Sequence, residues 1–303
     1  DIIAIASTPY LDPSDRSNIE EGATSVKAIT TQFEPGSIFK TASFCAMLEA
    51  GGITAQTTVD CPVYLEADEY KISDAHERAA TTMTAAEVLA QSSNVGTSLL
   101  VQQHMGFNGL YDKIRKYGLN DATGVDYPGE AEGYLTNVST WSLIQSYNVT
   151  FGQGISLSPL MITRFYGAIA SGAGVAHTPH FLISKPSSGE EVTWDSEQII
   201  DNTDAIAPLT DMLVGVVENG TGKTAAVEGY TTAGKTGTAE YADDTGSYVK
   251  NMYNLDFVGF LPNATSNLVC FVGVNHVPYE RNTCEVFKDI MTEASSRYKI
   301  AQK

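Results

Sequence analysis

The chain has 303 residues, of which 43% are hydrophobic and 18% are charged, as in an ordinary globular protein with a sizeable core. Its 36 acidic and 18 basic residues give a net charge of -18, which repels phosphate backbones and anionic lipid headgroups. The charge therefore argues against nucleic acid as a partner.

The cysteines and the apolar runs restrict the class of protein further. Cys45, Cys61, Cys270 and Cys284 show neither a C-x-x-C pair nor a Cys/His spacing that would build a zinc site, so no metal is expected. We interpret them as buried apolar thiols, with a Cys270–Cys284 disulfide as the open alternative. No run approaches about 18 apolar residues, so the chain as given is expected to be soluble, as a domain cut from a longer parent.

Hydrophobic spacing and capping signals predict a helical middle followed by a strand-rich end. A buried strand is predicted first, over Ile2–Ser7. The first predicted helix runs from Ser37 to Leu48 and stops at Gly51-Gly52, and a second begins at a Thr84-x-x-Glu87 capping box. The remaining predicted helices are Val95–Met105, Leu110–Tyr117, Ser158–Ala170, Ala205–Val217 and about Cys284 to Tyr298. Three further strands are predicted over Tyr230–Ala239, Leu255–Leu261 and Leu268–His276.

This order of elements predicts one composite α/β (α+β) domain. The first strand is expected to join the last three in an antiparallel sheet flanked by helices. The sheet-containing part would comprise residues 1–51 and about 190–303, and an all-helical insert would occupy about 52–189. In the loop from Ala239 to Tyr253, the centre, Asp243–Ser247, is expected to be mobile.

A serine and a lysine stand three residues apart at the start of the first predicted helix. This i, i+3 spacing puts Ser37 and Lys40 on one face, so that the amine can reach the hydroxyl. A lysine that is partly desolvated near other cations can be neutral enough to take a proton from a serine nucleophile. The pair by itself is weak evidence, because S-x-x-K is frequent by chance and Ser37 could simply cap the helix.

Two further motifs make the interpretation specific. Ser92-Ser93-Asn94 lies at a polar break between two predicted helices, and Lys235-Thr236-Gly237-Thr238 lies on a predicted strand. In this order S-x-x-K, S-x-N and K-T-G form the signature of acyl-serine transferases, the penicillin-binding proteins and serine β-lactamases. Taken singly, each residue could instead be a helix cap, a solvated charge or an exposed strand residue.

The surrounding segments carry the resemblance to one family. Phe33–Lys40 resembles the F/Y-E-P-G-S-x-F-K element of class B penicillin-binding proteins, and Gly220-Thr221-Gly222 with Gly229–Ala239 resembles their G-T-G … G-Y-x-x-A-G-K-T-G-T-A block. Phe151–Gly154 with Ser158–Leu160 is similar to their G-Q-G … T/S-P-L segment, except that Met161 stands where a Gln is usual. The resemblance spans nearly the whole chain and implies the penicillin-binding, serine β-lactamase-like fold.

The resemblance also implies a catalytic role for five residues. Ser37 would attack the carbonyl between the two terminal D-alanines of a peptidoglycan stem peptide, and Lys40 would take its proton. Ser92, helped by Lys235, would relay a proton to the departing D-alanine, while Asn94 would bind the substrate amide and hold Lys40 in place.

The strand motif would bind the substrate. Lys235, Thr236 and Thr238 would receive the terminal carboxylate, and Gly237 would let the substrate backbone lie along the strand as an added strand. The backbone N–H groups of Ser37 and Thr238 would form an oxyanion hole. The product would be a cross-linked peptide, formed by transpeptidation without a cofactor.

For the parent protein, the resemblance implies one membrane-spanning helix and a catalytic domain outside the cytoplasmic membrane. Its partners would be stem peptides, β-lactam antibiotics and a glycan-polymerising membrane protein within a division or elongation complex. Asp74-Ala75-His76 resembles a family D-x-H element, in which we interpret His76 as structural.

Three alternatives stay open at this stage. Gly229-x-x-x-x-Gly234-Lys235-Thr236 formally matches a phosphate-binding P-loop, which requires a helix directly after the Lys-Thr pair. A class A β-lactamase would need a dedicated Glu and a water, carried by a segment of the type E-x-x-L-N, and the nearest acidic stretch, Glu130–Gly133, does not match that pattern. A β-lactam sensor would keep the Ser-Lys pair and bind the drug without turnover.

Overall fold

The computed structural model describes residues 1–242, 248–277 and 282–303, and these ranges form a mixed α/β fold. Their helices are α1 (Lys27–Thr30), α2 (Lys40–Glu49), α3 (Ala85–Ala90), α4 (Asn94–His104), α5 (Gly106–Lys116), α6 (Leu143–Thr150), α7 (Pro159–Ala170), α8 (Ile206–Glu218) and α9 (Thr283–Arg297). Their strands are β1 (Thr58–Cys61), β2 (Tyr64–Ala67), β3 (Tyr70–Ser73), β4 (Thr81–Thr84), β5 (Val175–His177), β6 (Ser196–Gln198), β7 (Ala233–Ala242), β8 (Tyr248–Phe260) and β9 (Val269–Val277).

Helix α2 lies at the centre of the molecule, and all ten of its residues are buried. It packs against α3, α4, α5 and α8, so apolar side chains face it from several directions. Its polar side chains satisfy their hydrogen bonds internally: Thr41 bonds to Tyr166, Ser43 donates to the carbonyl of Thr150, and Glu49 pairs with Lys113. The start of this helix is therefore fixed relative to most of the fold.

The main sheet consists of β7, β8 and β9 in that order, and all its pairs are antiparallel. Val258 and Phe260 of β8 belong to the large core around α2, whereas Phe257 packs against Phe287 of α9 in a second core. Helices therefore cover both faces of the sheet. Strand β7 forms one edge and contacts the 3-10 turn Gly36–Phe39, which we call the Ser37 turn.

The helices predicted from the sequence are confirmed, with small shifts of their ends. Thr84 and Glu87 form the predicted capping box at α3, and Ser158 caps α7 with Pro159 in its first turn. The first turn of the predicted Ser37 helix is 3-10, and α2 proper begins at Lys40. The three C-terminal strands are also confirmed.

The predicted first strand is wrong. Residues 1–7 form no strand; the amide of Ile2 donates to the carbonyl of His180, and Ile2 and Ile5 pack against a small cluster of Ile29, Val125 and Leu160. The predicted burial is also wrong, since Ile3 is 52% exposed and Ile2 and Ile5 are only partly buried. A short apolar run does not by itself reveal whether it will find a strand partner.

Two other expectations about segments need correction. The stretch expected to be all-helical also contains β1 to β4, paired as β1–β4 and β2–β3, and β5, which pairs with β6. These strands are three or four residues long, too short for their alternation to stand out in the sequence. Strands β7 and β8 extend into the stretch expected to be a loop from Ala239 to Tyr253, whereas its centre, residues 243–247, which was expected to be mobile, lies outside the described residues.

Two further expectations concerned the state of the cysteines and the presence of membrane-spanning helices. All four cysteines are free; Cys45, Cys61 and Cys284 are buried and Cys270 is partly so, which rules out the Cys270–Cys284 disulfide here. Within the described ranges, none of the helices combines the length and apolar character that a membrane crossing requires.

A carboxyl group is buried in the middle of the main sheet. Asp256 of β8 is 2% exposed and stands in register with Gly237 of β7 and Gly273 of β9. Its Oδ2 atom has no hydrogen-bond partner in the described part of the protein. Burial raises the pKa of Asp256 well above its ordinary value, so the folded protein favours the neutral acid.

We predict that Asp256→Asn stabilises the protein in a pH-dependent way. Because its pKa is raised in the folded state, the unfolded chain releases this proton first, and the wild type loses free energy of unfolding as pH rises above about 4. Asn does not titrate, so its advantage should grow by up to about 1.4 kcal/mol per pH unit within this window.

Urea unfolding of both proteins at several pH values measures the difference, with Asp211→Asn on the exposed side of α8 as the control. A difference between Asp256→Asn and the wild type that stays constant with pH would contradict the prediction.

Candidate active site

Ser37 lies on the Ser37 turn, directly before the buried helix α2. The turn is held by backbone and side-chain contacts: the amide of Gly36 donates to the carbonyl of Gly152 at 2.9 Å, and the hydroxyl of Tyr166 donates to the carbonyl of Ile38 at 3.2 Å. Burial raises the pKa of the Tyr166 hydroxyl, which keeps it a hydrogen-bond donor. The position of Ser37 is therefore set by the core rather than by a free loop.

The amine of Lys40 is the centre of the site. Lys40 is 0% exposed, and its Nζ lies 2.8 Å from Ser37 Oγ, 2.7 Å from the carbonyl oxygen of Ser92 and 2.7 Å from Asn94 Oδ1. The last two oxygens can only accept hydrogen bonds. A neutral amine satisfies both with its two hydrogens and leaves its lone pair directed at the Ser37 hydroxyl, the arrangement that a general base requires.

The electrostatics favour the neutral form of this amine. Burial lowers the pKa of Lys40 well below its ordinary value, the charge of Lys235 lowers it further, and Asp74 partly opposes the shift. Lys235 is itself fully buried, which lowers its pKa to about 7. Two amines that share a buried site are thus both more acidic than a lysine in water.

Ser92 connects the two amines. Its hydroxyl lies 2.9 Å from Lys235 Nζ and 3.2 Å from Lys40 Nζ. Its backbone adopts a left-handed conformation with φ of 59°, which costs a residue other than glycine about 1–3 kcal/mol. The same residue therefore presents both its carbonyl and its hydroxyl to Lys40, as a chain of proton-carrying groups would need.

Asp74 is a site residue whose role the sequence did not predict. Its carboxylate accepts hydrogen bonds from Ser93 Oγ at 2.9 and 3.0 Å and from the amide of Val95 at 3.0 Å, and it pairs with Arg78 at 2.5 Å. Ser93 in turn caps α4 through the amide of Gly96. A carboxylate at a helix N-terminus is favourably placed, and here it fixes the end of α4 at which Asn94 stands.

The Asn94 amide is oriented at both ends. Its Nδ2 donates to the carbonyl of Ser73 and its Oδ1 accepts from Lys40. The sequence signal for this support is the Asp74-Ala75-His76 stretch, in which the sequence singled out His76 as a structural residue. The structure shows His76 exposed and Asp74 in contact with the motif.

The K-T-G motif lies on the edge strand β7. Lys235 Nζ donates to Ser92 Oγ, to the Thr236 carbonyl at 3.0 Å and to Thr236 Oγ1 at 3.4 Å. A Cβ atom on Gly237 would stand 3.0 Å from the Ile38 side chain, so the absence of a side chain lets β7 pack tightly against the Ser37 turn. Thr238, the next residue on the strand, is partly buried.

The fold thus brings the three motifs together across the sequence. Ser37, Lys40, Ser92, Asn94, Lys235 and Thr236 form one hydrogen-bonded chain, although Ser92 and Lys235 are 143 residues apart. The P-loop alternative is wrong, because β7 continues as a strand through Lys235 and Thr236 where that motif needs a helix.

Comparison with known proteins agrees with this geometry. The family model described as the penicillin binding protein transpeptidase domain matches residues 1–292. Penicillin-binding protein PbpB of Mycobacterium tuberculosis is 32% identical over 271 residues, which cover 86% of this chain and 40% of that protein. Peptidoglycan D,D-transpeptidase FtsI of Escherichia coli is 29% identical over 276 residues, with coverages of 91% and 45%.

A solved structure is similar throughout. Penicillin binding protein 3 from Mycobacterium tuberculosis, complexed with aztreonam, superposes with a TM-score of 0.83 at 29% identity, over 93% of this chain and 67% of that one. The chain spans less than half the length of the two curated relatives. Since the family model covers nearly every residue and these relatives share the fold, the chain belongs to the penicillin-binding protein transpeptidase domains, and among them to class B.

Proposed function

We propose that this chain is the catalytic domain of a peptidoglycan D,D-transpeptidase that forms an acyl-enzyme on Ser37. The observation that carries the proposal is the set of hydrogen bonds around Lys40, in which two oxygens that only accept occupy both hydrogens of the neutral amine. The lone pair is then left for the hydroxyl of Ser37 at 2.8 Å. The name of the relative FtsI, a peptidoglycan D,D-transpeptidase, supports the same activity, and the name of PbpB supports penicillin binding.

In the first half-reaction, Ser37 Oγ attacks the carbonyl carbon of the D-Ala–D-Ala bond and its proton passes to Lys40 Nζ. The resulting oxyanion would be bound by the backbone N–H groups of Ser37 and Thr238. As the carbon–nitrogen bond breaks, the leaving amine takes a proton from Ser92 Oγ, which recovers one from Lys40. The products are a Ser37 ester and free D-alanine.

In the second half-reaction, an amine of another stem peptide attacks the ester and loses a proton along the same chain in reverse. Ser37 regains its proton, and the new amide is the cross-link. The substrate strand would lie along the edge of β7, with its terminal carboxylate near Lys235, Thr236 and Thr238.

A β-lactam would acylate Ser37 by the same first step. Its leaving nitrogen stays attached to the acyl group through the opened ring, so it remains in the site. In class A β-lactamases, hydrolysis of this ester uses a dedicated glutamate that activates water. The acidic stretch considered for that role is engaged elsewhere, since Glu130 accepts hydrogen bonds from the amides of Thr123 and Gly124. The transpeptidase therefore fits better than a β-lactamase.

We also infer the setting of the domain in its parent. The catalytic domain would lie outside the cytoplasmic membrane, attached to an anchoring helix in a longer chain, beside a glycan-polymerising membrane protein. Within the domain, residues 1–51 and about 190–303 would form the sheet-containing part and about 52–189 the mainly helical part. Helix α2 contacts α8 of the first part and α4 and α5 of the second, which supports a site between the two parts.

We predict that a fluorescent penicillin forms an adduct with the wild type that persists for hours. Ser37→Ala should abolish the adduct because the attacking oxygen is missing. Lys40→Ala should slow its formation by at least about 100-fold, since general base catalysis contributes about 10²–10⁴. Intact-protein mass spectrometry over time measures both effects.

Lys288→Ala, on the exposed side of α9, is the control and should react like the wild type. An adduct that disappears within seconds would indicate a β-lactamase. A wild-type protein that forms none would refute the proposed function.

A second prediction concerns the pH dependence of acylation by a penicillin with a free carboxylate. Lys235 loses its charge as pH rises through its pKa of about 7, so the acylation rate constant should fall above that pH. Arginine stays protonated, and Lys235→Arg should therefore lack this descending limb even if its absolute rate is lower. Stopped-flow measurements from pH 5 to 9 compare the pH profiles of the two proteins. If Lys235→Arg shows the same descending limb as the wild type, the fall in rate is caused by a group other than Lys235.

A further inference from the structure

A second hydroxyl lies beside the K-T-G motif. Thr221 belongs to the turn between α8 and β7, and its Oγ1 is 2.6 Å from Thr236 Oγ1. Thr221 is exposed and Thr236 is half-buried, so the pair faces solvent next to the ammonium group of Lys235. Thr221 has none of the catalytic or binding roles proposed above for the three motifs.

Hydrogen counting shows what this pair can bind. Each threonine hydroxyl has one hydrogen, and the bond between the two oxygens uses one of the two. Whichever residue donates, the other keeps a hydrogen that can point away from the pair. Lys235 adds a cationic donor 3.4 Å from Thr236 Oγ1. One free O–H beside an ammonium group suits an oxygen anion better than a neutral acceptor.

The turn that carries Thr221 is rigidly placed. Its amide donates to the carbonyl of Ala90 at 3.1 Å, and the amides of Gly220 and Gly222 donate to the carbonyl of Val216. A Cβ atom on Gly220 would stand 2.1 Å from the Ala90 oxygen, so only glycine permits this close approach. Ala90 is the last residue of α3, two positions before Ser92. The Thr221 hydroxyl is thus fixed relative to the site before any ligand arrives.

We propose that Thr221 is a specificity-determining residue that, with Thr236, binds the terminal carboxylate of the donor peptide and of β-lactams. This assignment rests on the proposed function, because it takes the ligand to be an acyl donor for Ser37. The paired hydroxyls select for the anion in two ways. Their free hydroxyl hydrogen bonds to one carboxylate oxygen. The bond between the two hydroxyls also holds Thr236 in the rotamer that directs its hydroxyl to the carboxylate.

The test compares benzylpenicillin with its methyl ester, which has the same reactive ring without the anionic group. The readout is the ratio of their second-order acylation rate constants. Because a hydrogen bond to a charged group is worth about a tenfold change or more, Thr221→Val should lower this ratio by about tenfold. The ester should react with Thr221→Val and with the wild type within about twofold, and Thr221→Ser should keep the wild-type ratio.

Thr224→Ala is the matched control. It removes a threonine hydroxyl from the same connection, but that hydroxyl bonds to Asn282 rather than to the motif. An unchanged ratio in Thr221→Val would overturn the proposal, as would an equal loss for acid and ester, which would show a purely structural role. Failure of the underlying function would look different, since the wild type would then react with neither compound.

Discussion

The burial of the Lys40 amine at the start of a wholly buried helix is the constraint on which the site depends. Inside the protein an ammonium group loses its hydration, and the resulting cost lowers its pKa. The amine is nevertheless well satisfied once it is neutral, because a carbonyl and an amide oxygen accept its two hydrogens. The fold thereby favours the neutral amine, a form that a lysine in water does not take at neutral pH, and it places this amine in contact with the Ser37 hydroxyl.

The groups that bond to this amine are backbone and short side-chain groups near the ends of helices, and one of them lies on a strained stretch of backbone. Ser92 adopts a left-handed backbone conformation between α3 and α4, and Asn94 is the first residue of α4. Asp74, which follows β3, accepts hydrogen bonds from the Ser93 hydroxyl that caps α4 and from the amide of Val95. One carboxylate therefore orients the N-terminus of α4, where Asn94 stands. Preorganisation of this kind lets electrostatic effects act without rearrangement during the reaction.

The edge strand β7 provides the other wall of the site. Its position depends on close packing against the Ser37 turn, where Gly237 leaves room for Ile38. On the neighbouring strand β8, Asp256 stands opposite Gly237 with its Oδ2 atom unpaired among the described residues, and burial raises the pKa of this carboxyl. The turn with Gly220 brings Thr221 to the same strand, so the site extends beyond the three motifs that first revealed it.

The sequence alone indicated the candidate site residues of the three motifs, because each motif depends on a short spacing within one helix turn, one interhelical break or one strand. It also determined the long helices and the C-terminal strands, whose periodicity and caps are local. Tertiary structure decided the rest. The first apolar run packs without a strand partner, the short strands β1 to β4 have too few residues for a visible pattern, and Asp74 acts across 19 residues on Ser93. The pKa of Lys40 likewise depends on burial by helices distant in sequence, and no local spacing encodes which of those helices will surround it.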